Sequence, residues 1–140
     1  MSDPYRLQRF VDAQQSVYQA ALTELQNGYK QGHWMWFIFP QIAGLGHSEM
    51  ARRFAIADID EARAYLQHPL LGARLRESTR AVLQHTARPA RQILGSPDDM
   101  KLRSCMTLFA QLESHTEFQL VLDDFYNGEM DNATLVRLKS

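Results

Sequence analysis

Residues 3–28 read DPYRLQRFVDAQQSVYQAALTELQNG, and this segment sets the expectation for the rest of the chain. Its apolar residues recur at steps of three and four, which is the spacing of one face of an α-helix. Asp3 is a candidate N-cap, Pro4 suits the first helical position and Gly28 suits the stop. We therefore predict one amphipathic helix whose apolar face is made of Leu7, Phe10, Val11, Val17, Tyr18, Ala21, Leu22 and Leu25.

The same helical period continues through the remaining residues. Helices are expected to begin at Ser48, Asp58, Pro69 and Pro89, and at a Ser96 cap followed by Pro97 in the first turn. Ends are expected at Gly95 and Gly128. The helix after Pro97 has a predicted inward face of Leu102, Cys105, Met106, Phe109 and Leu112. Residues 34–39 are a candidate strand, but a lone strand has no partner for its backbone, which favours a buried helical turn or an irregular segment. The prediction is an all-α fold of about six to eight helices in a single compact domain, residues 1–140.

The composition excludes several classes of protein. The chain has 140 residues, which is long enough to fold around a core without stabilisation by a metal or a disulfide. Because 45% of the residues are hydrophobic, the composition also excludes a disordered regulator. Its single cysteine, Cys105, excludes an intrachain disulfide and reads as a small buried hydrophobe. The N-terminal residues lack a signal-peptide pattern, and no apolar run approaches the roughly 20 residues of a spanning helix. We expect no membrane association and a cytoplasmic location.

Charge is unevenly distributed although the formal net charge is only −1. Residues 52–91 hold eight basic and four acidic side chains, whereas residues 98–140 hold four basic and eight acidic ones. The middle arginines are either an anion-facing strip or solvated and internal partners of the acidic C-terminal third, and the second interpretation is favoured. These arginines are Arg74, Arg76, Arg80, Arg88 and Arg91. A near-neutral total makes a nucleic-acid partner the third choice.

Residues 28–41, GYKQGHWMWFIFPQ, form the most unusual part of the sequence, which we call the tryptophan segment. It contains both tryptophans, with Lys30, His33 and Gln41 at its borders. Such aromatic density can anchor a loop in a small core. It can equally form a stacking wall of Trp34 or Trp36 for a planar ring, with Lys30 near a phosphate. Both interpretations remain open at this point.

Residues 96–104 form a second candidate patch. Asp98 and Asp99 occupy the positive end of the predicted helix, where they would accept sugar hydroxyls, orient a water or bind a cation rather than receive a phosphate. The simpler interpretation is ordinary helix capping with Lys101 and Arg103 on the surface. If this turn meets the tryptophan segment, Asp99 and His33 become the candidate catalytic groups for proton transfer.

The usual catalytic and metal-binding signatures are missing. No two of the five histidines are three or four residues apart, so we predict no helical metal pair and no metal site. Residues 44–49, GLGHSE, start like a dinucleotide-binding fingerprint but lack its last glycine, and a loop leading to a helix cap at Ser48 fits better. No cofactor is predicted, and the sequence leaves open whether the protein is an enzyme.

Five segments resemble a bacterial family known as domain of unknown function 1810. They are residues 30–41 (KQGHWMWFIFPQ), 43–46 (AGLG), 61–66 (EARAYL), 68–72 (HPLLG) and 98–102 (DDMKL). The resemblance implies a helical domain and no particular chemistry. Members often carry the label calpastatin, but the inhibitor repeats of that name are disordered and proline-rich, unlike this chain. A looser likeness, in helical content and a lysine-plus-tryptophan pocket, is to helical domains that process NAD and ADP-ribose.

These observations support two main hypotheses. The first is a helical domain that binds or processes a nucleotide-like ligand of the ADP-ribose or NAD type. Its candidate ligand-binding residues are Lys30, His33, Trp34, Trp36, Gln41, Asp98, Asp99 and Lys101. The alternative is a non-enzymatic interaction domain, in which the tryptophan segment is core or interface and the opposed charges guide a protein partner or self-association.

Overall fold

The computed structural model describes residues 2–139, and in this range the chain forms ten helices. They are α1 (Gln8–Gln15), α2 (Tyr18–Asn27), α3 (Met35–Ile38), α4 (Glu49–Arg53), α5 (Ile59–Gln67), α6 (Pro69–Leu83), α7 (Ala90–Leu94), α8 (Asp98–Ala110), α9 (Glu117–Tyr126) and α10 (Asn132–Leu138). The predicted all-α class is confirmed, whereas six to eight helices was too low a number. In the same range, extended pairing is limited to one parallel bridge between Ile42 and Ile56. None of the helices described combines the length and apolar composition needed to cross a membrane.

The prediction of one long helix over residues 3–28 was wrong, because the chain breaks between α1 and α2. The Val17 N–H donates to the Gln14 carbonyl in a tight turn, and Val17 leaves helical geometry at φ −121°. The Gln14 side chain is buried and donates to the Phe37 carbonyl oxygen at 2.7 Å. A buried amide needs such a partner, so Gln14 fixes how α1 faces the core. Tertiary contacts therefore override the local helical pattern.

The predicted starts and stops are mostly confirmed. Ser48 Oγ accepts from the Ala51 N–H at 3.1 Å, and Asp58 Oδ1 accepts from the Glu61 N–H at 2.9 Å. Pro69 is the first residue of α6, and Gly28 and Gly95 adopt positive φ at the ends of α2 and α7. Asp3 accepts from the Leu7 and Gln8 N–H groups, but Leu7 is the N-cap, and α1 begins at Gln8, four residues after the predicted start at Pro4. Ser96 makes no cap bond, since Pro97 takes the N-cap position of α8.

Helix α8 lies at the centre of the molecule. The predicted inward residues Leu102, Cys105, Met106 and Phe109 are fully buried, whereas Leu112 lies beyond the end of the helix and is partly exposed. Ser104, Thr107, Leu108 and Ala110 of α8 are buried too, because α5, α7, α9 and α10 all pack on this helix. A chain of aromatic rings runs through this core from Phe10 to Tyr65 (5.0 Å), Phe109 (5.7 Å) and Phe118 (5.8 Å). Tilted ring contacts of this kind stabilise a core beyond their buried area.

The basic middle and the acidic C-terminal third do pair within the molecule. Arg76 on α6 donates to Glu113 at 2.7 Å and to Glu117 on α9 at 3.0 Å, and Arg80 lies 3.5 Å from Glu117. Partial burial acts to raise the pKa of Glu117, but its backbone hydrogen bond and Arg76 outweigh burial and lower it. These arginines therefore tie α6 to α9.

Candidate functional site

The tryptophan segment and the first turn of α8 meet in space, and Asp98 joins them. Its Oδ2 lies 2.9 Å from Nζ of Lys30, and its Oδ1 lies 3.6 Å from Nζ of Lys101. The side chain of Lys30 is only 9% exposed, so its ion pair with Asp98 is well shielded from solvent. Two segments separated by more than sixty residues are thus connected through one carboxylate.

Each of these two lysines lies over a tryptophan ring. Nζ of Lys30 is 5.0 Å from the ring centroid of Trp34, and Nζ of Lys101 is 5.3 Å from that of Trp36. Both distances are within the range at which an ammonium group is attracted to the face of an indole. The two cation–π contacts and the shared carboxylate form one continuous cluster.

Trp34 belongs to the core half of this cluster. It is 3% exposed, and its indole N–H donates to Glu24 Oε1 at 3.0 Å. The same oxygen accepts from the N–H groups of Gln31 and Gly32 at 2.7 and 2.9 Å, so Glu24 fixes the loop in the first half of the tryptophan segment. Desolvation acts to raise the pKa of Glu24, but these three hydrogen bonds outweigh it and lower the pKa. Trp34 is therefore a core residue that anchors the tryptophan segment.

Trp36 faces the other way and forms part of the wall of a cleft of about 520 Å³. The cleft lies between the segment 41–55, which includes α4, on one side and the first turns of α8 and α10 on the other. Of the eight predicted ligand-binding residues, Trp36, Gln41 and Lys101 line it. The other five do not: Lys30, His33, Trp34, Asp98 and Asp99.

The two candidate catalytic residues lie outside the lining of this cleft. His33 is exposed in the loop before α3. Asp99 is partly buried at the start of α8, its carbonyl oxygen accepts a hydrogen bond from the Tyr126 hydroxyl at 2.5 Å, and its Oδ1 is buried without a partner among the described residues. Burial, with the charge of Asp99 as a second cause, raises the pKa of Tyr126.

Several residues of the cleft are not among the predicted ligand-binding residues: His47, Ser48, Arg52, Ser104 and Asp131. The available signal is the pair of glycines in residues 44–49, for which the sequence predicts a loop leading to the Ser48 cap. A Cβ on Gly46 would lie 2.7 Å from the Cβ of Ala51, so glycine lets the loop lie directly on α4. Gly44 has φ +97°, and its carbonyl accepts from Arg137 at 3.2 Å. These contacts place the loop between α4 and α10.

Asp131 is the carboxylate in the lining of the cleft, and it also starts α10. Its Oδ2 accepts from Ser104 Oγ at 2.9 Å and from Oγ1 and N–H of Thr134 at 2.5 and 3.2 Å. Its own N–H donates to Thr107 Oγ1 at 2.9 Å. Asp131 therefore fastens α10 to α8, and this attachment completes the wall of the cleft.

No group of three or more His, Cys, Asp or Glu side chains within residues 2–139 is arranged to hold a metal ion. Cys105 is buried in α8, and burial raises the pKa of its thiol well above the ordinary value. A thiol in that state is a packing group rather than a nucleophile. The side chains that line the cleft can supply aromatic stacking, hydrogen bonding and charge.

The fold and the site together define a small all-helical protein with an open cleft beside a paired tryptophan and lysine. Residues 4–138 match the family described as Protein of unknown function (DUF1810), and the chain belongs to this family. The crystal structure of the conserved hypothetical protein Rv1873 from Mycobacterium tuberculosis is similar over 99% of both chains, with 48% sequence identity and a TM-score of 0.96. No curated protein matches the chain.

Proposed function

We propose that the protein binds a small nucleotide-like molecule, of the ADP-ribose or NAD type, in the cleft beside Trp36. The observation that carries this proposal is the position of Trp36, whose indole is on the cleft wall with Nζ of Lys101 5.3 Å from its ring. A base stacked on an aromatic side chain contributes about 1–3 kcal/mol. An ammonium group beside the ring suits a ligand that carries negative charge.

The dimensions and lining of the cleft are consistent with such a ligand. Ligand sites commonly measure about 300–1,000 Å³, and this cleft has about 520 Å³. Ile42, Leu45, Phe54 and Met100 supply apolar surface. A mostly apolar lining with a few polar groups is the usual composition of a site that binds an organic molecule.

We assign the following roles within this proposal. Trp36 stacks on the planar ring, and the Gln41 amide hydrogen-bonds to its polar edge, since an amide can both donate and accept. Lys101 meets an anionic part of the ligand, and Asp98 positions Lys101. Trp34 holds the segment in the core. The proposal concerns binding, because the candidate catalytic residues His33 and Asp99 are not in the lining.

The two tryptophans allow a direct test by fluorescence. Trp34→Phe leaves Trp36 as the only tryptophan, and Trp36→Phe leaves Trp34. Titration with ADP-ribose, NAD and AMP should change the emission of the wild type and of Trp34→Phe, and should leave Trp36→Phe unchanged because its remaining indole is buried. Circular dichroism of each variant shows that it is folded. Unchanged emission in folded Trp34→Phe, with no heat of binding at millimolar ligand, would contradict the proposal.

A further inference from the structure

We infer that the cleft contains a second subsite, formed by His47 and Arg52, which binds the phosphate group of the ligand. This inference rests on the proposed function and specifies its ligand as a nucleoside phosphate rather than a nucleoside. Its basis is the imbalance of charge at the α4 side of the cleft.

Arg52 lines the cleft from the last turn of α4, and its guanidinium makes no hydrogen bond or ion pair with any other residue in the range 2–139. Several other arginines of the molecule are engaged, and Arg6, Arg53 and Arg91, which likewise have no such partner within residues 2–139, lie outside the cleft lining. Arg9 donates to Glu61 and to several carbonyl oxygens, Arg76 pairs with two glutamates, and Arg103 donates to the carbonyl oxygens of residues 129 and 130. A guanidinium that lines a cleft without an internal partner has its donors available for a ligand.

His47 also lines the cleft, on the loop immediately before α4. Its ring is exposed and has no hydrogen-bond partner among residues 2–139. The loop is held in place by the contact of Gly46 with Ala51 and by the Ser48 cap on α4. His47 and Arg52 are therefore carried on one unit, the loop and α4, and both line the cleft.

The cleft has little negative charge to neutralise these groups. The lining carries two cationic side chains, Arg52 and Lys101, and one carboxylate, Asp131, whose Oδ2 accepts from Ser104 and Thr134. Lys101 lies 3.6 Å from Asp98, whereas Arg52 has no such partner within residues 2–139. An uncompensated cationic patch in a concave site favours an anion.

A phosphate is the anion that matches these donors best. The planar guanidinium presents two parallel N–H groups to two phosphate oxygens, and each charge-assisted hydrogen bond is stronger than a neutral one. The His47 ring adds a further donor, since each tautomer of an imidazole carries at least one N–H group. With the ring on Trp36 and the phosphate at Arg52, the ligand must carry both groups.

Isothermal titration of adenosine and AMP, which share the same base and sugar, tests this inference. AMP should bind the wild type at least about tenfold more tightly than adenosine, because its phosphate can accept charge-assisted hydrogen bonds that adenosine cannot make. Arg52→Gln should weaken AMP binding by about tenfold or more and leave adenosine binding unchanged, with His47→Gln giving a smaller change in the same direction. Arg53→Gln is the matched control, because Arg53 neighbours Arg52 but lies over the Phe54 ring and outside the cleft lining.

The outcomes separate the inference from the proposed function. Equal binding of adenosine and AMP, or equal effects of Arg52→Gln and Arg53→Gln on AMP, overturns the phosphate subsite while leaving a ligand in the cleft. Absence of binding by adenosine, AMP, ADP-ribose and NAD overturns both. Tighter binding of AMP that is lost in Arg52→Gln and retained in Arg53→Gln supports the subsite.

Discussion

Glu24 shows how one carboxylate can set the conformation of a loop. A single oxygen of Glu24 accepts the N–H groups of Gln31 and Gly32 and the indole N–H of Trp34. Three donors converging on an ionised acceptor stabilise its charged form, and each such bond is shorter and stronger than a neutral one. The entry of the chain into the tryptophan segment therefore depends on the ionisation of one residue.

This dependence predicts a defined response to acid. The pKa of Glu24 is lowered in the folded protein from its ordinary value of 4.5, so its contribution to stability is present above that value and is lost as the pH falls through the folded pKa. Glu24→Gln should therefore reduce the free energy of unfolding at about pH 7, and the difference from wild type should shrink at about pH 3. Urea denaturation of the wild type and of Glu24→Gln at both pH values measures this difference in the free energy of unfolding. A difference that is independent of pH would argue against the ionised acceptor.

The two tryptophans should respond differently to truncation. Trp34 is 3% exposed and hydrogen-bonded, so Trp34→Ala should lower the free energy of unfolding by about 3–5 kcal/mol. Trp36 is partly exposed on the cleft wall, so Trp36→Ala should cost roughly 1–2 kcal/mol or less. Chemical denaturation of the two variants under the same conditions compares them. Equal losses would mean that both indoles are core groups.

At the scale of elements, the contact between α5 and α6 depends on Gly72. A Cβ at Gly72 would lie 2.1 Å from the carbonyl oxygen of Leu66, which is backbone and cannot turn away as a side chain could. Only glycine therefore allows α6 to begin so close to the end of α5. The sequence HPLLG combines this glycine with Pro69 at the first helical position and with His68, whose Nδ1 accepts from the N–H groups of Leu70 and Leu71.

Gly72→Ala should consequently destabilise the protein, although alanine is the better helix former. Helix propensity favours alanine by about 1 kcal/mol, whereas forced overpacking typically costs about 1–3 kcal/mol. We expect a net loss, measured by thermal or urea unfolding. Ala73→Gly at the next, exposed position is the control and should lose only the propensity of about 1 kcal/mol. A stabilised Gly72→Ala would contradict the close backbone contact.

At the scale of the whole molecule, opposite charges link the middle of the chain to its C-terminal third. Arg76 is the principal link, since it meets both Glu113 and Glu117. Partly exposed ion pairs contribute at most about 1 kcal/mol, and salt weakens them by screening. These pairs therefore adjust the packing of α6 on α9 while the aromatic core supplies most of the stability.

Arg76→Gln should lower the free energy of unfolding by about 1 kcal/mol or less in low salt, and by less in about 1 M salt. Arg80→Gln is a suitable comparison, because Arg80 is 64% exposed and lies farther from Glu117, so its effect should be smaller. Denaturation curves of the wild type and of each variant, recorded at both salt concentrations, give the loss in the free energy of unfolding for Arg76→Gln and for Arg80→Gln. An effect of Arg76→Gln that does not change with salt would indicate lost packing rather than charge.

Predictions based on neighbouring residues succeeded for most of the fold. Ser48, Asp58, Pro69 and Gly95 act where the sequence placed them, because capping and turn formation involve groups only a few residues apart. The break between α1 and α2 was missed, since it depends on Gln14 reaching the carbonyl of a residue 23 positions away. The helix propensity of neighbouring residues carries no information about a contact between residues so far apart in the sequence.

The amino-acid sequence by itself determined the helical class, most helix ends and the family resemblance, since these follow from local chemistry. Only the tertiary structure decided the roles of the two tryptophans. Because they are two positions apart at a helical turn, their side chains point to opposite sides. Trp34 therefore enters the core, and Trp36 forms part of the cleft wall. The tertiary structure also brought Asp98 between two lysines and assembled the cleft from three separate segments. Such contacts arise when elements that are distant in the sequence pack together, and no local pattern of residues specifies that packing.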